Sequence, residues 1–259
     1  MTKEQRERSL LIGSLEWATA TSGNLKSADR LRFLVPILRT TVNYTAGRLR
    51  MALGLRPPRV GTLDLDRLVL PDSKLAADAL RECRETLTPS MQNHSLRTFV
   101  FGLALANLDG VRLDVEHLYV ASLLHDLALE TPTPGRCFAV VGAERALAIA
   151  QRAGAEEAVA RAIAEAIAMH VTPGVGFERG PLGPTIAAGA LVDLAGVRLW
   201  DLDPVFVQAA QVRHPRLAMK RHLTACWRAE ARAVPGGRAA FIARWAAFGL
   251  FVRLAPFRE

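Results

Sequence analysis

An adjacent histidine and aspartate, His125-Asp126, end an apolar stretch that starts at His117 and reads Leu-Tyr-Val-Ala-Ser-Leu-Leu before the pair and Leu-Ala-Leu after it. Asp114 can cap a helix here, and Leu118, Ala121, Ser122 and Leu129 fall at helical spacing. His125 stands on that inward stripe, three residues after Ser122 and seven after Leu118. An ionisable pair at the end of an apolar stripe needs a partner, because unpaired buried charge is costly. A metal ion that takes both side chains as ligands is one solution. The other is a hydrogen-bonded core histidine beside a capping aspartate. The pair alone fits either.

Other residues of the same kind recur along the chain. His94 opens an earlier helix in Asn93-His-Ser-Leu-Arg97-Thr-Phe-Val-Phe-Gly102, His170 closes a later one, and Asp193 sits in Gly189-Ala-Leu-Val-Asp-Leu-Ala-Gly196. The order His, His-Asp, His, Asp resembles the HD-domain superfamily of metal-dependent hydrolases. The words NHSLRTFVFG, LYVASLLHDLAL, AIAMH and APFRE look like its cyanamide hydratase-like branch, over roughly residues 70 to 257. Two positions depart from that branch: Ala128 stands where it usually carries glycine, and Ala139 where it usually carries glutamate.

Bulk properties agree with one large helical domain and a modest extension. A chain of 259 residues can bury a full core without staples, and 50% hydrophobic residues with only 6% aromatics suit packed helices. The three cysteines, Cys83, Cys137 and Cys226, share no metal-finger spacing, and such usage fits a reducing cytoplasm. No segment has signal-peptide character, and no apolar run reaches the length of a membrane span. The net charge of +8 attracts anions without identifying one. The arginines are scattered and lack stacking aromatics, so nucleic acid is not an expected partner.

Residues 1–60 are expected to form a basic, partly helical extension, and residues 61–259 the main domain. In the extension Leu31, Leu34, Leu38 and Val42 share one helical face, with arginines at 30, 32, 39, 48 and 50 around it. Such a helix can lie on an anionic membrane or dock to a partner, a second copy included. The expectation is that it covers the neighbouring core. Arg56-Pro-Pro-Arg59 then breaks the helix. Past Pro71, Leu75, Ala79, Leu80, Cys83 and Leu87 mark the next helix. His94, Arg97, Thr98 and Phe101 share a face of the one after it, presenting a ligand, a cation and a hydroxyl to one cavity. Val159, Ile163 and Ala166 lead inward to His170, and Ile186 and Ala190 lead to Asp193. A Gly- and Pro-rich loop, Thr172 to Pro184, leaves from His170 and suits a lid carrying Phe177 and Arg179. The last helix is expected over about Arg238 to Leu254. The predicted fold is all-α, which by the resemblance is an HD-type helical bundle.

The resemblance implies that His94, His125, Asp126 and Asp193 hold one divalent ion. A nitrogen and oxygen set of this kind suits zinc, iron, manganese, cobalt or nickel. It further implies catalysis by metal-activated water, with Asp126, His170 and Arg97 as catalytic candidates. His170 is expected as a hydrogen-bond donor facing substrate, and Arg97 as a partner of a ligand carboxylate or an anionic substrate. Three functions follow. One is a hydrolase or hydratase of a small neutral molecule, nitrile- or amide-like. The second is a phosphohydrolase of a nucleotide or other phosphate ester, with Arg97, Arg136 and Arg179 as its cations. The third is a non-enzymatic helical interaction protein.

Overall fold

The computed structural model describes residues 11–55 and 57–259; residues 1–10 and Arg56 of the expected extension lie outside the described residues. The fold is all-helical, with isolated bridges as the β-type pairing among the described residues. The helices are α1 (Leu15–Thr21), α2 (Ser27–Ala52), α3 (Lys74–Thr86), α4 (Pro89–Asp109), α5 (Val115–Leu124), α6 (Phe138–Ala153), α7 (Glu157–Met169), α8 (Leu182–Ala195), α9 (Pro204–Arg213), α10 (Met219–Ala233), α11 (Arg238–Trp245) and α12 (Phe248–Leu254).

Local chemistry sets their ends. The Ser73 hydroxyl accepts from Ala76 N–H at the start of α3, and the Asp114 carboxylate accepts from His117 N–H at the start of α5. Pro89 stands in the first turn of α4, where its missing N–H is not needed. The expected last helix is divided at Ala246-Ala247, where Ala247 takes a left-handed conformation, φ 48°.

Helix α4 is the central element, buried at every position from Phe99 to Ala106. It crosses α8 with little space between them. A Cβ added at Gly189 of α8 would lie 2.1 Å from the Thr98 carbonyl oxygen of α4. Only glycine permits that approach, and the approach brings His94 of α4 within reach of Asp193 of α8.

Residues of the extension pack into the same core as the rest of the chain. Trp17, Leu25 and Phe33 belong to the same apolar cluster as Phe138, Trp227 and Phe241. The Leu15 N–H donates to Glu165 of α7 at 2.8 Å, and the Arg238 guanidinium lies over the Trp17 ring. Helix α2 corrects the expectation for its apolar face. Its inner side is Phe33, Tyr44 and Gly47, whereas Leu31, Leu34, Leu38 and Val42 face outward. The leucine and valine spacing identified a genuine face, but that face turns away from the core.

Candidate metal centre

Three helix segments bring the histidines together. His94 comes from the second turn of α4, while His125 and His170 each occupy the residue that ends a helix, α5 and α7. His125 Nδ1–H donates to the Ser122 carbonyl at 2.7 Å, and His170 Nδ1–H donates to the Ile167 carbonyl at 2.7 Å. The last-turn carbonyls of a helix lack partners within it, so the two rings satisfy groups that would otherwise be orphaned. A carbonyl only accepts, so in both rings the hydrogen is on Nδ1. In the neutral imidazole the Nε2 lone pair then points into the site.

All three Nε2 atoms face Asp126. Its Oδ2 is 3.3 Å from His125 Nε2 and 3.6 Å from His94 Nε2, and its Oδ1 is 3.6 Å from His170 Nε2. His94 Nε2 and His125 Nε2 are buried without a hydrogen-bond partner. Lone pairs facing a carboxylate repel one another unless a cation lies between them. Ligands about 2.1 Å from a tetrahedral metal are roughly 3.4 Å apart, close to the separations seen here. His94, His125 and Asp126 therefore fit a divalent cation, with the facing atoms all within 4.8 Å of one another.

Asp193 stands in the layer behind. Its Oδ2 accepts from His94 Nδ1 at 2.7 Å and from Arg97 Nη2 at 2.9 Å. Its Oδ1 accepts from Arg97 Nε and from Arg216 Nη1, both at 2.7 Å. Arg97 also donates to the His214 and Pro215 carbonyls through Nη1. Arg216 is held in turn by Glu259 at 2.9 Å, with the Phe257 ring beneath its guanidinium. The structure thus joins His94, His125, Asp126 and His170 around one point. It does not bring Asp193 or Arg97 to that point.

Electrostatics follow from this layering. Burial works to raise the Asp193 pKa, but Arg97, His94 and Arg216 outweigh it and hold the carboxylate far below its ordinary range. Burial likewise opposes ionisation of Asp126, and His125 and His170 overcome it, so Asp126 is also depressed. Burial lowers His94 and His170, leaving them neutral near pH 7. For His125 burial again works downward, but Asp126 prevails and the pKa rises.

A cavity of about 640 Å³ opens from this cluster. Its end at the metal centre is His94, His125, Asp126 and His170; elsewhere its walls include Tyr44, Leu191, Trp200, Trp227, Phe248 and Phe251. The arginines expected to serve a phosphate lie elsewhere. Arg97 faces Asp193, Arg136 makes a two-bond pair with Glu144, and Arg179 is 3.7 Å from Glu165. Arg198 lines the cavity but is committed to Asp109 and Asp201. Arg50 is an exposed residue of the lining. The loop expected as a lid is split: Thr172 to Val175 wall the cavity, whereas Phe177 is exposed. Gly174 packs on Pro36 of α2.

A second group, Glu130, His222 and Cys226, also gathers atoms able to hold a metal. Glu130 is already engaged there, accepting from Thr88 N–H and Oγ1–H at the start of α4 and pairing with His222. Burial pushes the Cys226 thiol up to about 11, with Glu130 and Asp126 acting in the same direction.

Arg216, which meets Asp193, and Met219, which meets Arg97, carry no local motif that would single them out. Glu259, which holds Arg216, ends the word APFRE. No curated protein matches the chain. The family model described as HD domain matches residues 91–196, a span that includes His94, Arg97, His125, Asp126, His170 and Asp193. The chain thus carries an HD domain at residues 91–196, which supports placing it in the HD superfamily of all-helical, metal-dependent hydrolases that bind divalent ions.

Proposed function

We propose that the protein is a metal-dependent hydrolase or hydratase that adds water to a small, uncharged molecule, nitrile- or amide-like at its reacting end and apolar elsewhere. The observation that carries this reading is the engagement of Arg97, Arg136, Arg179 and Arg198 with carboxylates, beside a cavity with mostly apolar walls. A phosphate ester needs converging cations where its charge lies. Here the side chains facing the centre are three imidazoles and one carboxylate. A volume near 640 Å³ suits a compact organic molecule of drug-like size. The likeness to the cyanamide hydratase-like branch points the same way.

In this reading His94, His125 and Asp126 hold one divalent ion. When bound, that ion supplies Lewis acidity and lowers the pKa of water at the centre. Asp193, Arg97 and Arg216 are positioning residues: they fix His94 in the tautomer that leaves Nε2 free. His170 is the general base. Its Nδ1–H is held by Ile167, so in the neutral ring it accepts at Nε2 rather than donates. It takes a proton from the attacking water, and Asp126 Oδ1, 3.6 Å away, stabilises the resulting imidazolium. On a nitrile, the oxygen bonds to carbon and the proton held by His170 passes to nitrogen, giving the imidic acid, and transfer of its O–H proton to nitrogen gives the amide.

Purified protein loaded with zinc, iron, manganese, cobalt or nickel would be assayed against nitrile, amide and phosphoester panels. The expected result is turnover of nitriles or amides that carry an apolar body. Turnover confined to phosphoesters would overturn the reading in favour of a phosphohydrolase. Folded, metal-loaded protein inert on all three panels would count against the nitrile and amide assignment.

A further inference from the structure

Helix α2 carries an apolar face that points into solvent. At 100° per residue, Leu31, Val35, Leu38, Val42 and Leu49 fall within an arc of about 60°. These side chains are 57 to 71% exposed. The opposite side of the same helix holds Phe33, Tyr44 and Gly47 against the body of the protein. Isolated exposed leucines are ordinary, but a five-residue stripe along one helix marks a binding surface.

The borders of the stripe are basic. Arg32, Arg39 and Arg50 run along one edge and Arg30 and Arg48 along the other. From Arg30 to Leu63 the sequence holds seven arginines and neither aspartate nor glutamate. Helices α11 and α12 adjoin α2 through Phe33–Phe241 and Tyr44–Phe251 ring contacts, and Trp245, Leu250 and Leu254 on them are exposed as well. No helix among the described residues is long and apolar enough to cross a membrane.

We propose that the outer face of α2 docks on an anionic lipid surface, lying in its plane with the leucines and valines inserted and the arginines at the headgroups. An apolar stripe between two cationic borders is the arrangement an interfacial helix requires. Charge argues against a second copy on the same face. An isologous pair would set five arginines against five, with no acid on the stripe or its borders to relieve them. Ile37, Thr40, Thr41 and Tyr44, on the other side of α2, line the cavity, so a lipid-docked protein would hold its cavity directly beneath the membrane. The docking surface does not depend on the chemistry proposed above.

The test is flotation of the full chain with phosphatidylcholine vesicles, with or without phosphatidylglycerol, alongside light scattering and thermal unfolding. The intact protein should float with the mixed vesicles and not with phosphatidylcholine alone, and added salt should release it. Leu38→Glu with Val42→Glu should abolish flotation and leave the melting temperature and metal content unchanged. Arg32→Ala and Arg39→Ala should each weaken binding about fivefold. A protein that fails to float with mixed vesicles overturns the proposal, and two further results would show why. Dimers that the Leu38→Glu, Val42→Glu variant converts to monomers would assign the face to a second copy. A large drop in melting temperature in that variant would show the face covered within the chain.

Discussion

His94 directs its Nδ1 at Asp193 Oδ2, 2.7 Å away, and this turns its Nε2 toward Asp126. A carboxylate behind a histidine fixes ring and tautomer before any metal arrives. Asp193→Asn should therefore weaken metal binding about 10–100-fold without abolishing it. It should also destabilise the fold by about 3–5 kcal/mol, because Arg97 and Arg216 would remain buried without their carboxylate. Metal titration and thermal unfolding read the two effects. Complete loss of metal at unchanged stability would instead make Asp193 a direct ligand.

His170 separates from the ligand set by its proposed task. His170→Gln should lower kcat by about 10²–10⁴-fold while the metal content stays at the wild-type level. If the variant loses its metal, His170 is a ligand and the base lies elsewhere.

The crossing of α4 and α8 gives a packing test. Gly189→Ala places a methyl group 2.1 Å from the Thr98 carbonyl oxygen, which backbone cannot accommodate without the helices moving apart. The expected loss is about 1–3 kcal/mol, together with weaker metal binding as His94 and Asp193 separate. Normal stability and normal metal affinity in this variant would mean that the crossing is looser than described.

Acid should weaken the fold through His214. Burial, Arg97 and Arg213 lower its pKa from 6.5 to about 4. Below pH 6.5 the unfolded chain takes a proton that the folded ring refuses, so stability falls as pH drops from 6.5 to about 4 and this contribution then levels off. With solvent screening of a partly exposed ring, the loss is on the order of 2 kcal/mol. Urea unfolding of wild type and His214→Gln across that range checks it; equal pH slopes would rule His214 out.

The helical architecture was legible because apolar spacing and capping residues are local. Asp114 before the His117 stretch marked a start that the structure has, whereas the helix expected to open at His94 starts at Pro89. The meeting of His94, His125 and Asp126 was legible only through the order of the motifs, since their helices are far apart in sequence. Arg97 illustrates what spacing leaves open. The helical face it shares with His94 was identified, but its choice between substrate and Asp193 depends on α8 lying 96 residues away. The outward turn of the Leu31, Leu38 and Val42 face was likewise unreadable, because periodicity shows that a helix has an apolar side and not what lies against it.

The central claim is that His94, His125 and Asp126 hold one divalent ion. Elemental analysis of the purified protein beside the folded His125→Ala, Asp126→Ala variant tests it most directly. The account predicts one metal per chain in the wild type and none in the variant, with circular dichroism showing helices in both. Stoichiometric metal retained by the folded variant would contradict it.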